Sequence, residues 1–233
     1  MDFIEKVKRK AKEEIKTIVL PESEDIRVLK GSEIVIKEGF AKIILLGSKE
    51  KILEDAKNSN INLEGVEIIN PKESNKLDLY IETLYELRKQ KGMTKEEAKK
   101  LLTENSRYFA SMMVKLGDAD GFVSGASHAT ADTLKPALQI IKGKPGIKTV
   151  SAFFIMSLPT NEFGEDGVFI FADCGMNENP NEEQLADIAI ESSKSFKELI
   201  NPKGVPKIAM LSYSTKGSAH SELTEKMIKA TKL

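Results

Sequence analysis

Apolar and polar positions along this chain follow two periods, and the places where one gives way to the other mark its elements. Residues 3–15 space apolar side chains at helical intervals among charges, which predicts an amphipathic helix. Residues 17–21 read as a short buried strand, and 24–37 as a second helix closed by Gly39. A strand at 42–47 with a glycine stop, a helix at 49–58 and a strand at 66–71 ending in Pro71 continue the alternation. Strands separated by helices are the pattern of a parallel sheet with helices on its faces, so the chain is read as α/β.

A strong helix follows at 77–91, broken by Gly92, and Thr94 caps another at 95–103. A helix at 106–116 leads to a strand at 120–124, and one more helix ends near Lys142. Gly143-Lys144-Pro145-Gly146 is the best linker candidate. It sets the expected boundary between a first α/β domain at 1–143 and a second at 147–233. Beyond it, continuous apolar runs at 150–158 and 168–173, with a turn at 164–167 between them, predict a hairpin. Pro180 and Asn181 introduce a helix at 182–199. Residues 207–211 read as a buried strand, 212–218 as a polar loop and 221–233 as a final helix.

Composition narrows the class of protein. With 35 Lys plus Arg against 36 Asp plus Glu the balance is near neutral, which argues against a dedicated nucleic-acid binder. The charged first ten residues lack the apolar core of a signal peptide, and no apolar run approaches bilayer-spanning length. A single cysteine, Cys174, excludes an intrachain disulfide and a multi-thiolate metal site. A cytoplasmic protein with no metal centre and no membrane or nucleic-acid partner is expected. In a basic complement dominated by Lys, only Arg9, Arg27, Arg88 and Arg107 keep the planar guanidinium fork that grips phosphate.

Two junctions carry the chemistry. The apolar run 120–123 opens into Ser124-Gly125-Ala126-Ser127-His128-Ala129-Thr130, rich in small and hydroxylic residues, immediately before a helix. Backbone N–H groups and hydroxyls gathered at a helix N-terminus favour an anion. Ser212-Tyr213-Ser214-Thr215-Lys216-Gly217-Ser218 repeats the design, and the only histidines, His128 and His220, fall in these two loops. Plainer readings stand beside this one. Thr130 or Asp132 could simply cap the helix, and His128 could be a general base or a hydrogen-bonding loop residue. Asp173 could hold a cation or cap the turn after its strand, and Cys174 reads as a small buried thiol. Lys216-Gly217-Ser218 lacks the upstream glycines of a P-loop.

At these residues the sequence resembles the phosphate acetyltransferases of the phosphate acetyl/butyryl transferase family. The matching blocks are Leu20-Pro21-Glu22-Ser23-Glu24-Asp25-Ile26-Arg27, Tyr85-Glu86-Leu87-Arg88-Lys89, the segment 120–139, Phe171-Ala172-Asp173, and 210–218. The resemblance implies reversible transfer of acetyl between acetyl phosphate and coenzyme A by direct thiol attack. It also implies a two-domain fold of the isocitrate and isopropylmalate dehydrogenase kind, with mostly parallel sheets, an interdomain cleft, a homodimer and no tightly bound cofactor. Carried over residue by residue, Arg27, Arg88 and Lys135 bind coenzyme A. Ser124, His128, Thr130, Thr133, Ser214, Thr215 and Lys216 bind substrate. Lys135 stands where the family usually has Arg, and Ala129 where many relatives carry a hydroxyl. In the family the catalytic groups, a Ser-Arg-Gly motif and an Asp, come from a further C-terminal segment, so no catalytic residue is assigned here. A fold lacking its C-terminal part, with weak or no turnover, is expected. A phosphate butyryltransferase or a non-catalytic acyl-CoA-binding module of the same fold is the alternative, and an NAD-linked dehydrogenase, lacking a glycine fingerprint, ranks last.

Overall fold

The computed structural model describes residues 3–233. One compact unit spans Ile4–Lys142, and Gly143–Leu233 belong to another. The first unit is built on a four-stranded sheet of β1 (Lys16–Leu20), β2 (Ala41–Leu46), β3 (Glu67–Ile69) and β4 (Gly121–Phe122), in the order β3-β2-β1-β4. Every pairing is parallel, with Ile18 opposite Ile43 and Gly121, and Val19 opposite Ile44 and Phe122.

Its helices are α1 (Phe3–Glu13), α2 (Ile26–Glu38), α3 (Lys49–Asn58), α4 (Leu77–Arg88), α5 (Lys95–Glu104), α6 (Ser106–Lys115) and α7 (Thr130–Ile140). Strand alternation explains how they are shared between the two faces of the sheet. Ile43 and Leu45 of β2 face one way and pack with Leu29 of α2 and Ile52 and Ala56 of α3. Ile44 and Leu46 face the other way, into a larger core with Tyr80 and Leu84 of α4, Ala98 and Leu102 of α5, and Phe109, Met112 and Met113 of α6. The ends are set by local chemistry. Asp25 caps α2, whose far end closes on Gly39 at φ 69°, and Thr94 and Glu97 form a reciprocal capping box on α5. Asp120 ties the start of β4 to β1, its carboxylate accepting from the Thr17 N–H at 2.8 Å while its own N–H donates to Thr17 O.

The second unit contains β5 (Phe153–Ser157) and β6 (Val168–Ala172), an antiparallel pair, with α8 (Glu182–Leu199) and α9 (Glu222–Lys232). The expected hairpin and both helices are present, and Asn181 caps α8 with Gln184 reciprocating. The expectation of mostly parallel sheets holds for the first unit only. The strand expected at 207–211 is absent: these residues join no ladder, and Ile208 and Leu211 are exposed. An apolar run becomes a strand only where a neighbouring edge takes its hydrogen bonds, and no edge lies beside this one among the described residues. None of the helices is long and apolar enough to cross a membrane among the described residues.

Candidate active site

The C-terminal ends of β1 and β4 lie side by side, and the segments leaving them meet. From β1 the chain enters Pro21-Glu22-Ser23-Glu24-Asp25, and from β4 it enters the Ser124–Ala129 loop. Glu22 is the pivot. Its side chain is 1% exposed, yet it is surrounded by donors. Oε2 accepts from the N–H groups of Gly125 (2.6 Å) and Ala126 (2.8 Å), and Oε1 from the N–H of Ser127 (3.2 Å). The Ser127 hydroxyl and Nδ1 of His128 also reach Oε1, at 3.3 and 2.7 Å. The loop's N–H groups, read from sequence as open to an anion, already hold one, and it belongs to the protein.

Burial would push the Glu22 carboxyl up, but the loop N–H groups and the His128 ring outweigh it and hold the pKa at about 2. A carboxyl lowered on folding contributes stability above its unfolded pKa and loses it as pH falls through the folded one. Glu22 therefore contributes on the order of 3 kcal/mol at neutral pH, lost between about pH 4.5 and pH 2. Asp118 is lowered despite its burial by Lys76 and Tyr80, and Asp173 by the Met176 N–H and Asn177; both act in the same direction. Urea titrations across this window are expected to show falling stability, and the Glu22→Gln variant a shallower fall. Equal slopes in the two proteins would contradict the assignment.

Arg27, at the start of α2, has two of its three guanidinium nitrogens bonded within the protein. Nε and Nη2 clasp Asp25 at 3.0 and 2.6 Å, and Nη2 also donates to Ala126 O at 2.5 Å. The side chain remains 70% exposed. Ser124 and Thr133 are joined by a 3.3 Å hydrogen bond between hydroxyls. Neither Thr130 nor Asp132 caps α7. Ala129 occupies the cap position and supplies no side-chain bond, although its carbonyl accepts from the Asp132 N–H at 3.0 Å. Thr130 and Lys135 on this helix are exposed. Arg88 closes α4 half-buried, with Nε buried and unbonded. The Tyr108 hydroxyl is pushed up by burial, partly offset by the charge of Arg88.

In the second unit Ser214, Thr215 and Lys216 share one tight loop. The Ser214 hydroxyl accepts from the Ala219 N–H at 3.1 Å, and the Ser218 hydroxyl from the Thr215 N–H at 3.2 Å. Ser212, Ser214, Lys216 and Thr224 line one cavity of about 190 Å³ against α9. A larger open hollow of about 460 Å³ beside α3 carries Lys57 as its sole charged lining group and none of the predicted residues, so chemistry favours the smaller. Asp173 caps its turn, accepting from the N–H groups of Gly175 and Met176 at 2.8 Å each. Cys174 is half-buried. No cluster of three metal-ligating side chains occurs among the described residues.

Sequence reasoning found the loops and missed Glu22. The signal was available: a carboxylate two residues past the end of β1, the strand that β4 must join.

Comparison with known proteins adds an independent line. The sequence profile described as phosphate acetyl/butaryl transferase matches residues 2–233. Phosphate acetyltransferases from Acetivibrio thermocellus and Thermoanaerobacterium thermosaccharolyticum are 52% and 51% identical over 233 residues, all of this chain and 69% and 70% of theirs. A phosphotransacetylase from Streptococcus pyogenes superposes with a TM-score of 0.87 at 38% identity, over 99% of this chain and 67% of that one. The EutD phosphotransacetylase from Staphylococcus aureus gives 0.84 at 40% identity, over 99% and 66%. The chain thus spans about two thirds of the length of the proteins it matches.

Proposed function

The chain belongs to the phosphate acetyl/butaryl transferase family, and from that premise we propose that it transfers acetyl reversibly between acetyl phosphate and coenzyme A. The observation that carries this reading is 52% identity, across all 233 residues, with a relative named phosphate acetyltransferase. In the forward direction a bond forms between the coenzyme A sulfur and the acetyl carbon. The carbon–oxygen bond to phosphate breaks, phosphate leaves with the electron pair, and the proton lost by the thiol ends on the departing phosphate. The butyryl alternative is not favoured, because the relatives with the highest identities carry the acetyl name.

Both substrates are anions, and the residues fit that need. Arg88 and Lys135 offer fixed charge to coenzyme A phosphates, with Arg27 contributing the part of its fork that Asp25 leaves free. Ser124, Thr130 and Thr133 offer hydroxyls beside the uncapped first turn of α7. In the second unit, Ser214 and Lys216 line the cavity against α9, and Thr215 shares their loop. The same reading takes the two units as the two domains of a dehydrogenase-like fold, in a cytoplasmic homodimer with no resident cofactor.

Thioester formation from coenzyme A and acetyl phosphate, followed by its ultraviolet absorbance, tests the activity, with butyryl phosphate as comparator. Absence of acetyl-CoA at saturating substrates together with absence of coenzyme A binding would refute it, and binding without turnover would favour the non-catalytic acyl-CoA-binding alternative. In the active protein Arg88→Ala is expected to raise KM for coenzyme A by about 10- to 100-fold, the loss of one charge-assisted contact. KM for acetyl phosphate should change far less.

A further inference from the structure

Glu22 holds more donors than loop closure requires, and the surplus donor is a histidine. We propose that Glu22 is a positioning residue that fixes His128 with its Nδ1–H turned inward, so that Nε2 is offered to a hydrogen-bond donor of coenzyme A. The inference rests on the acetyl-transfer reading for the identity of the ligand, and on geometry alone for the ring.

An ionised carboxylate can only accept, so Nδ1, 2.7 Å from Oε1, must carry the proton. The Ser127 hydroxyl, 3.1 Å from the same nitrogen, then sends its own proton to a carboxylate, with Glu24 Oε1 at 3.1 Å and Glu22 Oε1 at 3.3 Å. The charged groups around the ring are Glu22, Glu24 and, through its bond to Ala126 O, Arg27 with its partner Asp25. Nε2 has no partner among the described residues, and the side chain is 34% exposed.

In the neutral ring Nε2 is therefore a lone pair and an obligatory acceptor. That distinguishes the two substrates. Acetyl phosphate as a dianion brings acceptors only, whereas coenzyme A brings a thiol S–H and amide N–H groups. In its neutral form a histidine held this way recognises coenzyme A and turns a lone pair against acetyl phosphate.

The ring form is measurable without any turnover. Nitrogen-15 spectra of the histidine-labelled chain at about pH 9, where an ordinary imidazole is neutral, resolve two rings, and His220→Asn identifies which is His128. A free imidazole side chain favours the Nε2–H form, so a protonated Nδ1 and a bare Nε2 at His128 are the diagnostic result. The opposite form, or an even mixture, overturns the inference. Coenzyme A is expected to move the Nε2 resonance with Nδ1 little changed, while acetyl phosphate leaves both in place. A shift of Nε2 with acetyl phosphate alone would overturn the ligand assignment. In Glu22→Ala no side-chain acceptor remains at position 22 to face Nδ1, and a substantial Nε2–H population should appear; an unchanged ring would remove Glu22 from the role. Should that variant fail to fold, the unmodified chain still decides. A wrong ring form in a chain that turns substrate over overturns this inference alone. A ring held as expected in a chain that binds neither substrate overturns the proposed function and the ligand assignment.

Discussion

Glu22→Ala is expected to destabilise the unit spanning Ile4–Lys142 by roughly 3–5 kcal/mol, a large share of the stability of most domains. The cost arises in the neighbours that remain. Three loop N–H groups, from Gly125, Ala126 and Ser127, lose their acceptor together, and each buried donor left unpaired costs about 1–3 kcal/mol. Water entering the space relieves part of that, which keeps the sum below the simple total. Glu22→Gln should cost less, because its amide oxygen can still accept from one side of the loop. Chemical denaturation followed by circular dichroism measures both. A loss below about 1 kcal/mol for the alanine variant would mean that the loop is held by something other than this carboxylate.

The second large effect lies in the core of the first unit. Phe109 is 1% exposed on α6, and its ring meets Tyr80 of α4 with centroids 4.9 Å apart at 55°. Phe109→Ala removes the largest apolar group from the centre of the α4–α6 core, and about 3–5 kcal/mol should go with it. About 0.5–1.5 kcal/mol of that belongs to the tilted aromatic pair, so Phe109→Leu should recover most of the loss but not all. The Tyr80 hydroxyl donates to Asp118 at 2.5 Å, in the turn that carries α6 into β4. Loosening Phe109 therefore disturbs the approach to the site as well as the core. Urea unfolding with an unchanged slope and a lower midpoint is the expected signature.

Most of the first unit could be read from the sequence because its signals are local. The helix at Lys49–Asn58, the Gly39 stop and the Thr94 cap each depend on residues a few positions apart. Residues 207–211 show where local reading ends. Their apolar run satisfies every strand rule except the one that sequence cannot supply, a partner edge. The site divides in the same way. Loop composition announced a cluster of donors before α7, but the group that fills it stands 103 residues from Gly125. What brings them together is the parallel pairing of β1 with β4, a fact of topology. Similarly, Ala129 stands at the cap of α7 and leaves its first turn without a side-chain cap, where Thr130 or Asp132 read as caps would have supplied one.

The separation between Glu22 and its loop also sets an order of events during synthesis. β2 can join β1, and β3 can join β2, as they emerge, each within a few tens of residues. The Glu22 carboxylate and the other edge of β1 must wait for the chain to reach Gly125, 103 residues later. At ribosomal rates of 5–20 residues per second that is roughly 5–20 s. For that interval the nascent sheet has an open edge ending in a solvated anion. The loop from Ser124 to Ala129 is then among the last parts of the first unit to take shape, although the residue that shapes it is among the first to be made.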